Sequence, residues 1–245
     1  MTSTPCTACC PANGVGVLGR LGRLSVFALW VLVGSAHAAG EGERVKPAPG
    51  LERGAEAAKS KAETLEEKAS SDGAGGQPKL REEITPAEAQ AVDPKGKEAM
   101  DDPLTCLARS IYWETKGEDV AAMQAVANVV MNRLGQHEFP DTVCGVVKQG
   151  QESGACQFSW WCDGRPDDVE EPKPYKVAKE VAREALNGQL LDRTHGATYF
   201  HHKRVTPSWS KIYTRTATVG AHHFYRPVEA VDKPRRRSAL SDGSG

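Results

Sequence analysis

Of the fifteen Phe, Trp and Tyr residues in this 245-residue chain, thirteen lie between Tyr112 and Tyr225, and none lies between Ala39 and Met100. A core needs bulky apolar side chains, so this distribution confines the folded part to one region of about 126 residues rather than two domains. Charge adds a second bound. With 31 Lys and Arg against 32 Asp and Glu, no overall field draws the chain to nucleic acid or to an anionic membrane, and a polybasic binder is excluded.

The flanks read differently. Arg20 and Arg23 precede an apolar run from Leu24 to Val33, and Ser35-Ala36-His37-Ala38 supplies small residues at a cleavage site. That order is the one a secretory signal requires. A run of ten residues falls short of the ~20 that a bilayer core demands, so residues 1–38 are expected to be a signal peptide, with a retained anchor as the alternative. Cys6, Cys9 and Cys10 fall inside it. No membrane span should remain after cleavage, which places the protein in the periplasm or cell envelope. From Ala39 to Met100, ten basic and thirteen acidic residues mix with Ala, Gly and Pro. Such a composition offers little apolar surface to offset ordering entropy, so 39–100 is expected to be a disordered charged linker. The tail 229–245, with Arg235, Arg236 and Arg237, is expected to be disordered too.

Within 101–228 the periodicity predicts helices first. Asp102-Pro103 is a helix start, followed by Leu104, Leu107, Ala108 and Ile111 on one face, with a stop at Gly117. Asp119 caps a second helix through Leu134, Thr142 opens a short third through Val147, and Pro172 or Pro174 begins a fourth ending at Gly188. The period then changes to two, from Ala197 to His201 and from Tyr213 to Tyr225. The expected class is α+β, with helices first and short antiparallel strands last.

Four cysteines lie in this region. An even count in an exported chain favours disulfides, and four cysteines allow three pairings. One set joins Cys156 to Cys162 around Phe158-Ser159-Trp160-Trp161 and Cys106 to Cys144. A four-cysteine zinc site is the competitor, but close cysteine pairs of the zinc-ribbon kind are missing.

Glu114 is the residue with most chemical content. It follows Ile111 by three and Leu107 by seven, so it continues an apolar stripe, where burial raises a carboxyl pKa. A proton held near neutral pH is what a general acid for glycosidic cleavage needs. On pattern alone, a Glu one turn from a helix end also reaches solvent with no chemical role. Glu118 stands four residues on, past Gly117, at the start of the next helix. The doublets His201-His202 and His222-His223 invite a metal reading with either Glu. Neighbours on a strand face opposite ways, and no H-E-x-x-H spacing is present, so neither metal nor cofactor is expected. Trp113, Trp160, Trp161, Trp209 and the tyrosines suit a sugar groove, because flat apolar faces with polar edges match pyranose rings.

The run Leu107-Ala108-Arg109-Ser110-Ile111-Tyr112-Trp113-Glu114-Thr115-Lys116-Gly117-Glu118 resembles the opening motif of the spore cortex-lytic (SleB-type) cell-wall hydrolases, A-R-x-[IV]-x-x-E-x-x-G-E. The similarity continues through Gln124–Arg133, Phe139–Val147, Gln157–Trp160, Ala185–Gly188, Gly196–Phe200 and Gly220–Tyr225, in the family's order. The resemblance implies a lysozyme- and transglycosylase-like domain that cleaves peptidoglycan glycan strands, with Glu114 as catalytic acid. Glu118, Tyr112, Gln157, Ser159, Trp160, Tyr199 and His222 are expected as assisting or substrate-binding residues, and a monomer as the working form. A metal-dependent amidase and a non-catalytic wall-binding module are the competing readings.

Overall fold

A computed structural model describes residues 49–72 and 82–228. The expected signal segment and the C-terminal tail lie outside those residues. Six helices come first, α1 (Pro49–Asp72), α2 (Pro86–Ala91), α3 (Pro103–Glu114), α4 (Val120–Arg133), α5 (Val143–Lys148) and α6 (Pro172–Leu186). Three strands follow, β1 (Tyr199–His202), β2 (Thr214–Val219) and β3 (His222–Arg226).

The helix starts follow from local chemistry. Asp102 accepts a hydrogen bond from Thr105 N at 2.9 Å with Pro103 in the first turn, Asp119 accepts from Ala122 N at 3.0 Å, and Thr142 accepts from Gly145 N at 3.1 Å. Each cap satisfies a backbone donor that the helix leaves open. From Pro103 to Tyr112 every residue of α3 is buried, so α3 runs through the centre with α4, α5 and α6 packed on it. Helix α6 turns Tyr175, Ala178, Val181, Ala182, Ala185 and Leu186 inward. The core gathers Leu104, Leu107, Ile111, Val130, Val146, Phe158 and Val181 with their neighbours.

The strands form one antiparallel sheet in the order β1-β3-β2. Because side chains alternate, Phe200 and Phe224 face one way, onto Ala125 and Val129 of α4. Tyr199, His201, His223 and Tyr225 face the other way. The register pairs Tyr199 with Tyr225 and Tyr225 with Arg215, and a bulge follows between Arg215 and Ala217. Disulfides join Cys106 to Cys144, with Cα atoms 5.3 Å apart, and Cys156 to Cys162, at 6.0 Å. The first ties α3 to α5. The α+β class, with helices preceding short antiparallel strands, is the observed one.

The expected disordered linker is where structure and expectation part. Pro49–Asp72 is a 24-residue helix, and residues 82–100 pack into the domain. Composition misleads here because this segment needs no core of its own; it adds a layer to an existing one. Ala55, Ala58, Ala62, Leu65 and Ala69 recur at three and four residues, and Ala58, Ala62 and Leu65 are buried. Such a face of small residues suits close helix packing. The charges are used internally. Lys61 pairs with Glu88 at 2.9 Å, and Val143 N at the start of α5 donates to Glu66. Deepest is Asp93, fully buried and in the left-handed region with φ of 42°. It accepts from Arg109 Nε at 2.7 Å and Tyr175 Oη at 2.6 Å, and from Lys97 N and Glu98 N at 2.7 and 2.9 Å. Burial opposes its charge, yet the hydrogen bonds from Arg109 and Tyr175 prevail and hold its pKa below the usual value.

Candidate active site

Helix α3 ends at Glu114, and the chain leaves it through Thr115, whose hydroxyl donates to Ile111 O at 2.7 Å. Gly117, at φ of 85°, turns the chain toward α4. Glu114 is thereby the last helical residue below a stripe of Leu107 and Ile111, both fully buried. Its side chain keeps a partial opening to solvent while protein atoms surround the rest. Desolvation pushes its pKa up to about 7, with the positive charge of Arg133 acting in the opposite direction. No other carboxyl among the described residues is pushed up that far. Glu114 accepts no hydrogen bond from a described residue, so its carboxyl is free to meet a ligand.

Arg133 is the partner that pattern reading did not single out. It ends α4 at 2% exposure, with Nε donating to Thr198 O at 2.8 Å and Nη2 to Gln157 Oε1 at 3.3 Å. Its guanidinium lies 4.9, 5.5 and 5.7 Å from the ring centres of Phe139, Phe158 and Tyr199. Stacking on aromatic faces suits a weakly hydrated planar cation. Nη1 has no hydrogen-bond partner among the described residues. Desolvation lowers its pKa to about 10, while Tyr199 and Glu114 act to raise it. A signal was available: Arg133 follows Val126 and Val130 on the buried stripe of α4, where an arginine is out of place unless it is used.

The other residues divide into two groups. Gln157 and Ser159 are exposed, on the loop that enters a short 3-10 turn at Ser159–Cys162. Tyr199 is half-buried on β1, and its pKa is pushed up to about 12, first by burial and then by Tyr213. Through Arg133, the ends of α3 and α4, the Gln157 loop and β1 converge on one place. Trp160 stands beside it, stacked on Trp113 with ring centres 6.4 Å apart, at 7% exposure and with Nε1 unpartnered among the described residues.

Glu118 and His222 form a separate group. Glu118 Oε2 accepts from Ala221 N at 2.7 Å, and Oε1 lies 3.1 Å from His222 Nδ1, too poorly aligned for a hydrogen bond. Burial lowers the His222 pKa and Glu118 opposes that effect. Gly220 stands at φ of 53°, the left-handed region that favours glycine, and a side chain there would also meet Glu118 Oε2 at 2.2 Å. Glu118 therefore ties the hairpin to the start of α4.

Tyr112 departs from the expected substrate contact. It is fully buried, and its hydroxyl accepts from Glu170 N and Glu171 N at 3.3 and 3.1 Å. On a helix, Tyr112 and Glu114 point in widely different directions, so Tyr112 positions the segment before α6. The His doublets are spread over both sheet faces. His201 lies 3.0 Å from Tyr225 Oη, His223 lies 2.9 Å from Thr218 Oγ1, and His202 accepts from Arg204 N at 3.1 Å. Among the described residues no three His, Cys, Asp or Glu side chains gather as a metal site would require.

Residues 117–225 match the Cell Wall Hydrolase family, a stretch that begins three residues after Glu114. A spore cortex-lytic enzyme of Halalkalibacterium halodurans is 32% identical over 125 residues, 51% of this chain and 34% of that protein. One from Bacillus subtilis is 29% identical over 122 residues, 49% of this chain and 36% of that protein. The chain thus spans about a third of the length of these relatives. The catalytic domain of the germination-specific lytic transglycosylase SleB from Bacillus anthracis is 28% identical, covering 51% of this chain and 93% of that one at a TM-score of 0.41. Over residues 117–225, then, this chain is similar to the cell wall hydrolase family.

Proposed function

We propose that this protein cleaves the glycan strands of peptidoglycan as a lytic transglycosylase, with Glu114 as its single acid and base. The observation that carries the reading is a partly open carboxyl held near pH 7 at the end of a buried helix. At neutral pH such a group is divided between its two forms, the condition in which it gives and takes a proton most readily. The protonated acid delivers its proton to the oxygen between N-acetylmuramic acid and N-acetylglucosamine, and the bond to C1 breaks. The resulting carboxylate takes the proton of the muramic 6-hydroxyl, whose oxygen closes on C1 to give a 1,6-anhydro sugar.

A hydrolase of the two-carboxylate kind needs a second acid residue poised across the bond. Glu118, the nearest in sequence, already holds Ala221 N. A single-carboxyl, water-free route fits that arrangement. Arg133 keeps the Glu114 pKa from rising further and steadies its carboxylate form, and Gln157, Ser159 and Tyr199 hold the sugar rings, with Trp160 packed behind them. Glu118 and His222 hold the hairpin in position. Export behind the N-terminal segment, residence in the periplasm or envelope and action as a monomer complete the reading. Among the described residues no helix is long and apolar enough to cross a membrane.

The test is Glu114→Gln against Glu118→Gln on the same purified sacculi, with products read by mass. Turnover in the Glu114 variant should fall by about 10²–10⁴, the usual worth of general acid–base catalysis. Wild-type products should be lighter by one water than hydrolysed muropeptides. Normal turnover in a folded Glu114 variant would end the assignment.

A further inference from the structure

Residues 193–228 contain six basic side chains, Arg193, Lys203, Arg204, Lys211, Arg215 and Arg226, and no acidic one. All six are exposed. In residues 82–192 the balance is reversed, with twenty-one acidic side chains against eleven basic. The near-neutral whole therefore conceals a cationic sheet carried on an acidic helical body. Within the described residues the head groups of Arg204, Lys211, Arg215 and Arg226 make neither an ion pair nor a hydrogen bond, and Lys203 reaches only Gly220 O, at 2.7 Å. Cations clustered without counter-charges raise the local concentration of anionic ligands.

The patch is continuous with the active site. Arg215 pairs with Tyr225 and Tyr225 with Tyr199 across the sheet, and directly paired residues share a face. The Tyr199 ring lies against Trp209 and Tyr213, at 5.6 and 4.9 Å between centres, and against the Arg133 guanidinium. Trp209 and Tyr213 are half-buried, and Ile212 between them is 71% exposed. A row of rings thus leads from the neighbourhood of Glu114 out to Arg215 on β2 and to Lys211, which lies between Trp209 and Tyr213 in the chain.

We propose that this side of the sheet is a docking surface for the carboxylates of the peptide stems that branch from the glycan strand. The proposal rests on the glycan-cleaving reading and deepens it by naming the part of the polymer that is gripped. The sugar backbone of an intact strand offers no charge, whereas each stem carries free carboxylates. A strand seated at Glu114 presents its stems to the surfaces on either side of that residue. Exposed Lys and Arg grip such groups without closing around them, so the contact is sensitive to salt.

The test measures binding with cleavage switched off. The full chain carrying Glu114→Gln is cosedimented with sacculi freed of phosphate-bearing polymers, either native or with their carboxylates converted to amides. Native sacculi should bind about tenfold more tightly than amidated ones, and the difference should vanish at high salt. Adding Arg204→Gln, Lys211→Gln and Arg215→Gln should reduce binding of native sacculi to the amidated level, with an unchanged circular dichroism spectrum. Arg204→Lys with Arg215→Lys should retain the tight binding, since charge and not shape is at work. Equal affinity for native and amidated sacculi, or no effect of the triple change, would overturn the proposal. Equally tight binding to phosphatidylglycerol vesicles would also overturn it, in favour of an anionic lipid surface. Since the readout is binding by an acid-less variant, a failure here is separate from a failure of Glu114 as the catalytic acid.

Discussion

The helical body and the sheet use charge in opposite ways. In residues 82–192 the deepest charges face inward and are matched: Asp93 with Arg109 and Tyr175, and Lys179 with the carbonyls of Gln90 and Val92 at 2.9 and 3.0 Å. In residues 193–228 the cations stand in solvent with no acid of their own. A buried charge must be matched to be tolerated at all, whereas an exposed one is inexpensive and available to a partner. The helices turn their deepest charges toward partners inside the fold, and the sheet offers its own outward. Glu114 lies where the two meet and is the exception in the body, a carboxyl surrounded by protein with no hydrogen-bonding partner among the described residues.

The largest expected effect tests that exception. Beyond the loss in Glu114→Gln, the kcat/KM of the wild type should be flat in acid and fall as pH rises through about 7, the pKa of Glu114 in the free enzyme. The same shift predicts a stability trend. A carboxyl whose folded pKa is raised favours the folded state most below its unfolded value, and that contribution is lost as pH rises through about 7. Removing the opposing cation by Arg133→Gln should move the alkaline limb upward in whatever fraction folds. A limb that stays in place would detach Arg133 from the acid.

Next in size is the inward pairing. Asp93→Ala strands the Arg109 guanidinium at 2% exposure, which should cost about 3–5 kcal/mol in urea unfolding. A loss below about 1 kcal/mol would show that water reaches this network. Because the Asp93 pKa is held below the usual value, its contribution is present above the ordinary Asp pKa and fades as pH falls through the lowered one.

The Cys106–Cys144 bridge closes a separation of 38 residues. Replacing both cysteines with alanine should lower stability by about 2–4 kcal/mol, read as a shift in Tm. Intact mass should rise by four hydrogens on reduction of the wild type, two for each bridge. Four alkylatable thiols in the unreduced protein would contradict both pairs. Smallest is Glu118→Gln, which weakens a charged hydrogen bond to Ala221 N and should cost about 1–2 kcal/mol. It should loosen the β2–β3 turn in hydrogen exchange while leaving most turnover intact.

Much of this was legible residue by residue. The caps Asp102, Asp119 and Thr142 mark their helices because a side-chain oxygen two or three residues before an open N–H can do little else. The stripe Leu107, Ile111, Glu114 pointed to a carboxyl at the edge of a core. The alanine heptads of α1 were equally visible as spacing, but alanine is common enough on exposed helices that its pattern alone does not say what it packs against. Asp93 and Arg109 stand sixteen residues apart with nothing in either neighbourhood to join them. An aromatic beside the acid suggests a ligand contact for Tyr112, while its helical angle and hydroxyl partners send it into the core.

Local order, the helix-to-strand change and the place of Glu114 on a buried stripe are determined by the sequence, since each depends on residues within one or two turns. The raised pKa of Glu114, the approach of Arg133, the restraint of Glu118 and the place of Arg215 on the sheet face that carries Tyr199 were decided only by the tertiary structure. Those features depend on distances between segments far apart in the chain, and on the desolvation that arises once those segments pack together.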